Sequence, residues 1–393
     1  MKTDDIKQLD QQYVMHTYGR NPIVIDHGEG ATVYDTDGNA YIDFTSGIGV
    51  CSVGYGNEAW AEAIYAQAKK LGHISNLYYT EPCAKLAEQL MTRAGMSRVF
   101  FGNSGAEGNE GMIKTARKYS YDKYGEGRAT VITLVNSFHG RTITTLKATG
   151  QDHFHEFFYP FTEGFKYVEC DDFAALKEAA TSDVCAIMLE LVQGEGGVWP
   201  LDPDYVKQVA AFCEEKDLLL LVDEVQTGVG RTGKLFAYQA YGIQPDVVSF
   251  AKGIAGGLPM GGFMVNDKCK DVMTAGTHGS TFGGNPIVSS AALTVLDQLS
   301  DDVLAEVEKK GEYIKKTIAS WNAPCVKSIR GLGLILGIEL QGMVNGDLNK
   351  SLMNRGLLCL TAGRNVLRML PPLTISYEEI DKGLEILKSL IAE

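Results

Sequence analysis

The sequence predicts an α/β protein built on a mostly parallel sheet flanked by helices, and three observations carry that prediction. Between about residues 60 and 250, helical segments alternate with short apolar runs: RVFF (98–101), TVITLV (130–135), CAIMLE (185–190), LLLLVD (218–223) and VVSF (247–250). Strands buried on both faces have this composition and spacing. Turns rich in Gly, Ser and Asn follow several of the runs, at the strand ends where open α/β sheets carry ligands. Finally, 393 residues exceed one small core and call for a large domain with a smaller companion.

Each element follows from local chemistry. The opening MKTDDIKQLDQQYVMHTYGR is polar and acidic from its fourth residue, with neither the apolar core of a signal peptide nor the Arg-rich, acid-poor character of a transit peptide. A cytoplasmic protein is expected. In GATVYDTDGNAYIDF (30–44), two alternating runs flank Thr36-Asp37-Gly38, which predicts an antiparallel hairpin with a left-handed glycine. After about residue 286 amphipathic helices dominate: Val303, Val307, Ile314 and Ile318 share one face. Ser376 to Glu379 forms a capping-box pattern ahead of Ile380, Leu384, Leu387 and Ile391. No Pro/Ser-rich linker, internal repeat or low-complexity tract interrupts the chain, so the two units are expected to pack tightly.

Composition narrows the function. No segment approaches the roughly 20 apolar residues that cross a bilayer. The net charge of −13, without a clustered basic face, disfavours a nucleic-acid partner. Eight cysteines lack any C-x-x-C pair and are expected to be mostly buried thiols. His153 and His155 in DHFHEFF have no matching ligand cluster, so no metal is expected.

Candidate chemistry lies at the strand ends. FFGNSGAEGNEGMIKTARKY places a Gly/Ser/Asn turn before a helix, whose free N–H groups suit a phosphate, although Gly102, Gly105 and Gly108 also fit an ordinary strand-to-helix turn. Gly108 and Gly111 inside that helix each cost about 1 kcal/mol relative to Ala, so a ligand or a crossing helix is expected close by. In NSFHGRT (136–142), Phe138 offers a face for stacking a planar ring and Arg141 a fork for a carboxylate; a core Phe beside a surface Arg is the plainer alternative. Asp223 ends a buried strand, where an unpaired carboxylate is costly, and needs a cation. Lys252 ends another, and a partly desolvated lysine is suited to a Schiff base; an Asp223–Lys252 ion pair is the alternative. A phosphate-binding turn, a stacking aromatic, a buried Asp and a strand-end Lys are together the contacts that pyridoxal 5′-phosphate requires.

The sequence resembles the class III, fold-type I, pyridoxal-phosphate-dependent aminotransferases over nearly its whole length. The motifs are YGR with GEGATVYDTDGNAYIDF, HISNLYYTEP, FGNSGAEGNE, NSFHGRT, LELVQGEGG, DEVQTGVGRTGKLFA, AKGIAGGLPMGG, THGSTFGGNP and NVLRMLPPL. The resemblance implies a large domain (51–285) around a mostly parallel seven-stranded sheet, and a smaller α+β domain from residues 1–50 and 286–393. It implies phosphate contacts from Ser104, Gly105 and Ala106, ring stacking by Phe138, pairing of Asp223 with the ring nitrogen, Val225 and Gln226 beside the ring, and the cofactor linkage on Lys252. Thr281 of a neighbouring subunit would touch the phosphate, with Ser280 beside the substrate, in a homodimer with shared sites.

The implied activity is ping-pong transfer, through pyridoxamine phosphate, of the terminal amino group of N2-acetyl-L-ornithine to 2-oxoglutarate. Succinylornithine, N-succinyl-diaminopimelate, ornithine and 4-aminobutyrate are the rival donors. Arg141 would take the donor's remote carboxylate and Arg368 the α-carboxylate of glutamate. Glu195 would pair with Arg368 and swing away for glutamate, unless the two form a permanent salt bridge. Three departures stand out: VGYGNEAW (53–60) replaces a histidine-containing turn, EGMIKTAR replaces an alanine-rich helix start, and Arg364 is expected near a carboxylate site, where it would affect donor choice.

Overall fold

The computed structural model describes residues 1–392. Its centre is a seven-stranded sheet of β1 (Arg98–Gly102), β2 (Thr130–Leu134), β3 (Phe165–Val168), β4 (Val184–Leu189), β5 (Leu219–Asp223), β6 (Val247–Phe250) and β7 (Gly261–Val265). The spatial order is β1-β7-β6-β5-β4-β2-β3. β7 alone runs antiparallel to its neighbours, pairing with β6 and β1, while the pairs across β6-β5-β4-β2-β3 are parallel. β4, β5 and β6 are buried along their whole length, as helices on both sheet faces require.

Two smaller sheets flank this one. The predicted hairpin forms from Thr32–Asp35 and Ala40–Asp43, with Gly38 at φ +85° in the turn. Ile25–Glu29 pairs on one side of it, and Leu357–Leu358, from the far end of the chain, pairs in parallel with Ala40–Asp43. A four-stranded antiparallel sheet, Val326–Leu332, Ile335–Leu340, Val366–Met369 and Leu360–Ala362, lies within the region where helices were expected to dominate. Its strands are short, and a search for helical period passes over them.

The C-terminal helices bury the stripes that their spacing requires. Tyr377–Ile391 buries Ile380, Leu384, Leu387 and Ile391. The Ser376 hydroxyl accepts from the Glu379 N–H at 3.1 Å, and the Glu379 carboxylate accepts from the Ser376 N–H at 2.9 Å, closing the capping box. In Asp301–Ser320 the buried positions are Leu304, Val307, Gly311, Ile314 and Ile318. Val303 stands only half-buried, because the stripe begins one residue later than expected.

All eight cysteines are unpaired, four of them buried and four half-buried. No helix among the described residues is long and apolar enough to cross a membrane.

Candidate functional site

Asp223 closes β5 at 4% exposure, yet it does not pair with Lys252. One carboxylate oxygen accepts from Asn109 Nδ2 at 2.7 Å and from His139 Nδ1 at 2.8 Å. The other accepts from the Val225 N–H at 3.0 Å and lies 3.4 Å from the Ser249 hydroxyl. Several donors thus hold the carboxylate in place, and hydrogen bonds to the charged form help to offset its desolvation.

Lys252 follows β6 and opens the short turn Lys252–Ala255, with its backbone in the left-handed region at φ +47°. A non-glycine residue held there stores about 1 kcal/mol or more of strain, which the surrounding packing must overcome. Its amine makes no hydrogen bond to any described residue. Burial pulls the amine down to about 8, against the opposing pull of the Glu195 carboxylate. About a tenth of the amine is therefore neutral at pH 7, far more than for an ordinary lysine.

The helix α1 (Gly105–Tyr124) starts directly after β1. Ser104 caps it, its hydroxyl accepting from the Glu107 N–H at 3.2 Å, while the Glu107 carboxylate reaches back to the Asn103 N–H. The N–H groups of Gly105 and Ala106 have no hydrogen-bond partner among the described residues and line the cavity. Neither a ligand nor a crossing helix explains Gly108 and Gly111. Strand β7 does: a Cβ on Gly108 would sit 2.4 Å from the Gly262 carbonyl oxygen, and one on Gly111 would sit 2.2 Å from the Phe263 ring. The unusual EGMIKTAR start thus fits α1 against the antiparallel strand.

These strand ends surround one cavity of about 420 Å³, which Phe138, Arg141, Glu195, Val225 and Gln226 also line. Arg141 is exposed and is not a bystander to a core Phe: both residues face the cavity, with the guanidinium carbon 5.2 Å from the Phe138 ring centre.

Glu195 and Arg368, 173 residues apart, meet at 2.6 Å. Gln226 bridges them, accepting from Arg368 at 3.1 Å and approaching Glu195 at 3.3 Å. Burial pushes the Glu195 carboxyl up, but the charge and hydrogen bond of Arg368 outweigh it and leave it below the usual range. Ser280 and Thr281 lie outside the cavity walls of this chain. The Ser280 hydroxyl meets Asn103 Nδ2 at 3.2 Å, and Thr281 is exposed.

Three polar residues at the site escaped the reading of the sequence. Asn109 and His139 hold Asp223, and Glu190, one residue beyond β4, accepts from the Phe138 N–H at 2.7 Å. Burial raises the Glu190 carboxyl well above the ordinary range, with the His139 charge opposing. Glu190 carried the same signal as Asp223, a carboxylate ending an apolar run; Asn109 and His139 carried none.

The departures have local explanations. In VGYGNEAW, the Tyr55 hydroxyl donates to Asp43 at 2.8 Å and Asn57 caps the helix Glu58–Lys70. Arg364 is exposed on the turn before Val366–Met369, beside Gly363, whose N–H donates to the Glu195 carbonyl at 2.9 Å.

Comparison with known proteins decides the family. The family model for class-III aminotransferases matches residues 13–391. The chain belongs to the class-III aminotransferases. The acetylornithine aminotransferase of Haemophilus ducreyi is 52% identical over the full length of both chains, and that of Caldanaerobacter subterraneus 47% identical over 98% of each. Among solved structures, the N-acetylornithine aminotransferase of Stenotrophomonas maltophilia superposes with a TM-score of 0.84 at 34% identity, covering 97% of each chain. An ornithine aminotransferase of Toxoplasma gondii, described with pyridoxal phosphate partly occupying its active site, gives 0.94 at 34% identity, covering 99% of this chain and 94% of that one. The fold of this aminotransferase is therefore fold type I: a large, mostly parallel sheet flanked by helices, with smaller sheets beside it.

Proposed function

We propose that this class-III aminotransferase uses pyridoxal 5′-phosphate to move the terminal amino group of N2-acetyl-L-ornithine to 2-oxoglutarate, giving N-acetyl-L-glutamate 5-semialdehyde and glutamate in arginine biosynthesis. The observation that carries the reading is a half-buried lysine, its amine without a hydrogen-bond partner among the described residues, facing the same cavity as a hydrogen-bonded carboxylate and a helix start whose first two N–H groups are unpaired. The residues fit the cofactor. Gly105 and Ala106, with Ser104, offer N–H donors at a positive helix end for a phosphate; Phe138 offers a flat face; Asp223 offers a fixed anion for a protonated ring nitrogen. When bound, the cofactor supplies an aldehyde that condenses with amines and a cationic ring that withdraws electrons from the attached carbon.

The chain's own residues supply the rest. Lys252, whose amine burial pulls down to about 8, accepts a proton from the substrate carbon and returns it as general base and acid. Asp223, held by Asn109 and His139, keeps the ring nitrogen protonated. Val225 and Gln226 pack beside the ring. Arg141 holds the remote carboxylate of the donor. Glu195 neutralises Arg368 while a terminal amine is bound and releases it for the α-carboxylate of glutamate.

Thr281 and Ser280 serve the site of a neighbouring copy, which makes a homodimer with shared sites the working assembly. The exposure of Leu77 (85%), Tyr79 (106%) and Phe282 (61%) around the same loop region supports that. Residues 51–285 form the large domain and residues 1–50 with 286–393 the small one, in the cytoplasm; the pairing of Leu357–Leu358 with Ala40–Asp43 supports this division.

The test is a single-turnover half-reaction without keto acid, following the cofactor's visible absorbance. N-acetylornithine, succinylornithine, ornithine, N-succinyl-diaminopimelate and 4-aminobutyrate are compared in parallel. Fastest conversion by N-acetylornithine is expected; a faster rival donor would overturn the substrate assignment.

A further inference from the structure

The segment DHFHEFF, which drew attention for its two histidines, does something else in the fold. His155 is buried, with Nε2 3.0 Å from the Leu146 carbonyl and 2.9 Å from the Thr149 carbonyl. Carbonyls only accept, so that nitrogen carries the proton. Gln151 Nε2 donates to the Ser137 carbonyl at 2.9 Å. His155 ties the turn Asp152–Phe154 to the helix Ile143–Ala148, which follows Arg141, and Gln151 ties it to the loop that carries Phe138 and Arg141. The result is a ring placed over an arginine: the Arg141 guanidinium carbon is 4.1 Å from the centre of the Phe154 ring. Phe138 and Phe154 themselves meet edge to face, 5.7 Å apart at 70°.

Arg141 shares with the exposed Arg364 a guanidinium that donates no hydrogen bond to any described residue, but Arg141 alone of the two lines the cavity. Arg231, Arg330 and Arg368 each donate to carbonyls, carboxylates or amides. Arg141 donates no hydrogen bond to any described residue. Contact through the flat face of a guanidinium leaves the N–H donors, which lie in its plane, free for a planar anion. Without such a contact, a long exposed side chain samples several rotamers and loses entropy on binding.

We propose that Phe154 is a positioning residue for donor specificity, holding Arg141 with its N–H fork open so that the fork selects donors bearing a remote carboxylate. The inference rests on the assignment of Arg141 to that carboxylate. Phe154 is not among the residues lining the cavity; it meets Arg141 and the edge of Phe138, and its effect on donor choice runs through Arg141.

Two donors isolate the effect: N-acetylornithine, and N-acetylputrescine, which keeps the acyl group and terminal amine but lacks the carboxylate. Phe154→Leu is expected to raise the KM for N-acetylornithine about two- to fivefold, the size of an exposed cation–π contact, with kcat little changed. N-acetylputrescine is expected to be unaffected, which also reports an intact fold. Phe154→Tyr keeps the ring face and restores the wild-type KM. Calorimetric binding of N-acetylnorvaline, which has the carboxylate and no terminal amine, weakens by the same factor. Phe154→Met, with similar bulk and no ring, repeats the test should the Leu variant fold poorly. Arg141→Ala separates the two claims. If it raises the N-acetylornithine KM selectively while neither Phe154 variant does, the role of Phe154 is overturned and that of Arg141 stands. If Arg141→Ala affects both donors alike, the assignment of Arg141 fails and the inference falls with it.

Discussion

Glu195→Gln is the substitution that most directly tests how one cavity serves two substrates. Arg368 is 3% exposed, and its charge is met by Glu195 at 2.6 Å and by the neutral Gln226 at 3.1 Å. Glutamate must displace the Glu195 carboxylate before its own α-carboxylate can pair with Arg368. A hydrogen bond to a charged group contributes about 1.5–3 kcal/mol, and an amide in the same place roughly half of that. Removing the charge therefore lowers the barrier to displacement by about 1 kcal/mol, which is about fivefold in kcat/KM for glutamate. The terminal-amine donor gains nothing, because Arg368 then faces it uncompensated. The assay is the pair of half-reactions with N-acetylornithine and glutamate, and the ratio of their kcat/KM values is expected to shift about fivefold towards glutamate. A second readout comes from Lys252, whose amine Glu195 holds up against burial: without that charge the acid limb of the rate profile moves to lower pH. A ratio within about twofold of wild type would show that Glu195 and Arg368 form a permanent bridge, and the switch would be wrong.

Other outcomes follow from the same geometry. Lys252→Ala is expected to abolish transamination and the lysine-linked visible absorbance of the loaded enzyme; retention of that band in a spectrum would place the linkage elsewhere. Gly108→Ala is expected to destabilise by about 2 kcal/mol in urea unfolding: the new Cβ would lie 2.4 Å from a backbone oxygen, and overpacking outweighs the roughly 1 kcal/mol gained in helix propensity. Glu224 is fully buried, and burial raises its carboxyl to about 7. The folded state therefore holds a proton that the unfolded chain has released above about pH 4.5, so this group's contribution to stability falls as pH rises from there to about 7, by about 3 kcal/mol. Glu224→Gln is expected to remove that slope from the denaturation midpoint measured across the interval.

The sheet was legible where strands are buried on both faces. The five apolar runs became β1, β2, β4, β5 and β6, with no end shifted by more than one residue. β3 and β7 gave no such signal. Phe165–Val168 is half-buried at the sheet edge, and Gly261–Val265 opens on two glycines because the Phe100 carbonyl and the turn at Ser104 crowd them. At the site, Asp223 and Lys252 stood out because each violates what a buried strand end tolerates. Asn109 and His139 violate nothing locally: a polar residue in a helix or loop is unremarkable until the fold closes it against a carboxylate. The meeting of Glu195 with Arg368 is likewise a product of topology, which brings a strand of the C-terminal sheet against the loop after β4.

Four of the eleven non-glycine residues with positive φ among the described residues follow the carboxyl ends of the central strands. Asn136, just beyond β2, has φ +64°; Val198, on the loop after β4, +54°; Val229, after β5, +55°; and Lys252, after β6, +47°. None is a glycine, two are β-branched, and each stores about 1 kcal/mol or more. Buried Glu190 and half-buried Lys252 add ionisable groups whose desolvation shifts both towards their neutral forms. A sequence under selection for stability alone would relieve these costs with Gly or with apolar side chains. The placing of these four beyond the carboxyl ends of adjacent parallel strands is explained if those ends must aim side chains inward at a charged, planar guest. Such a guest offsets the desolvation of the groups that meet it. A bound cofactor should therefore raise the unfolding temperature well beyond what its added apolar contacts provide.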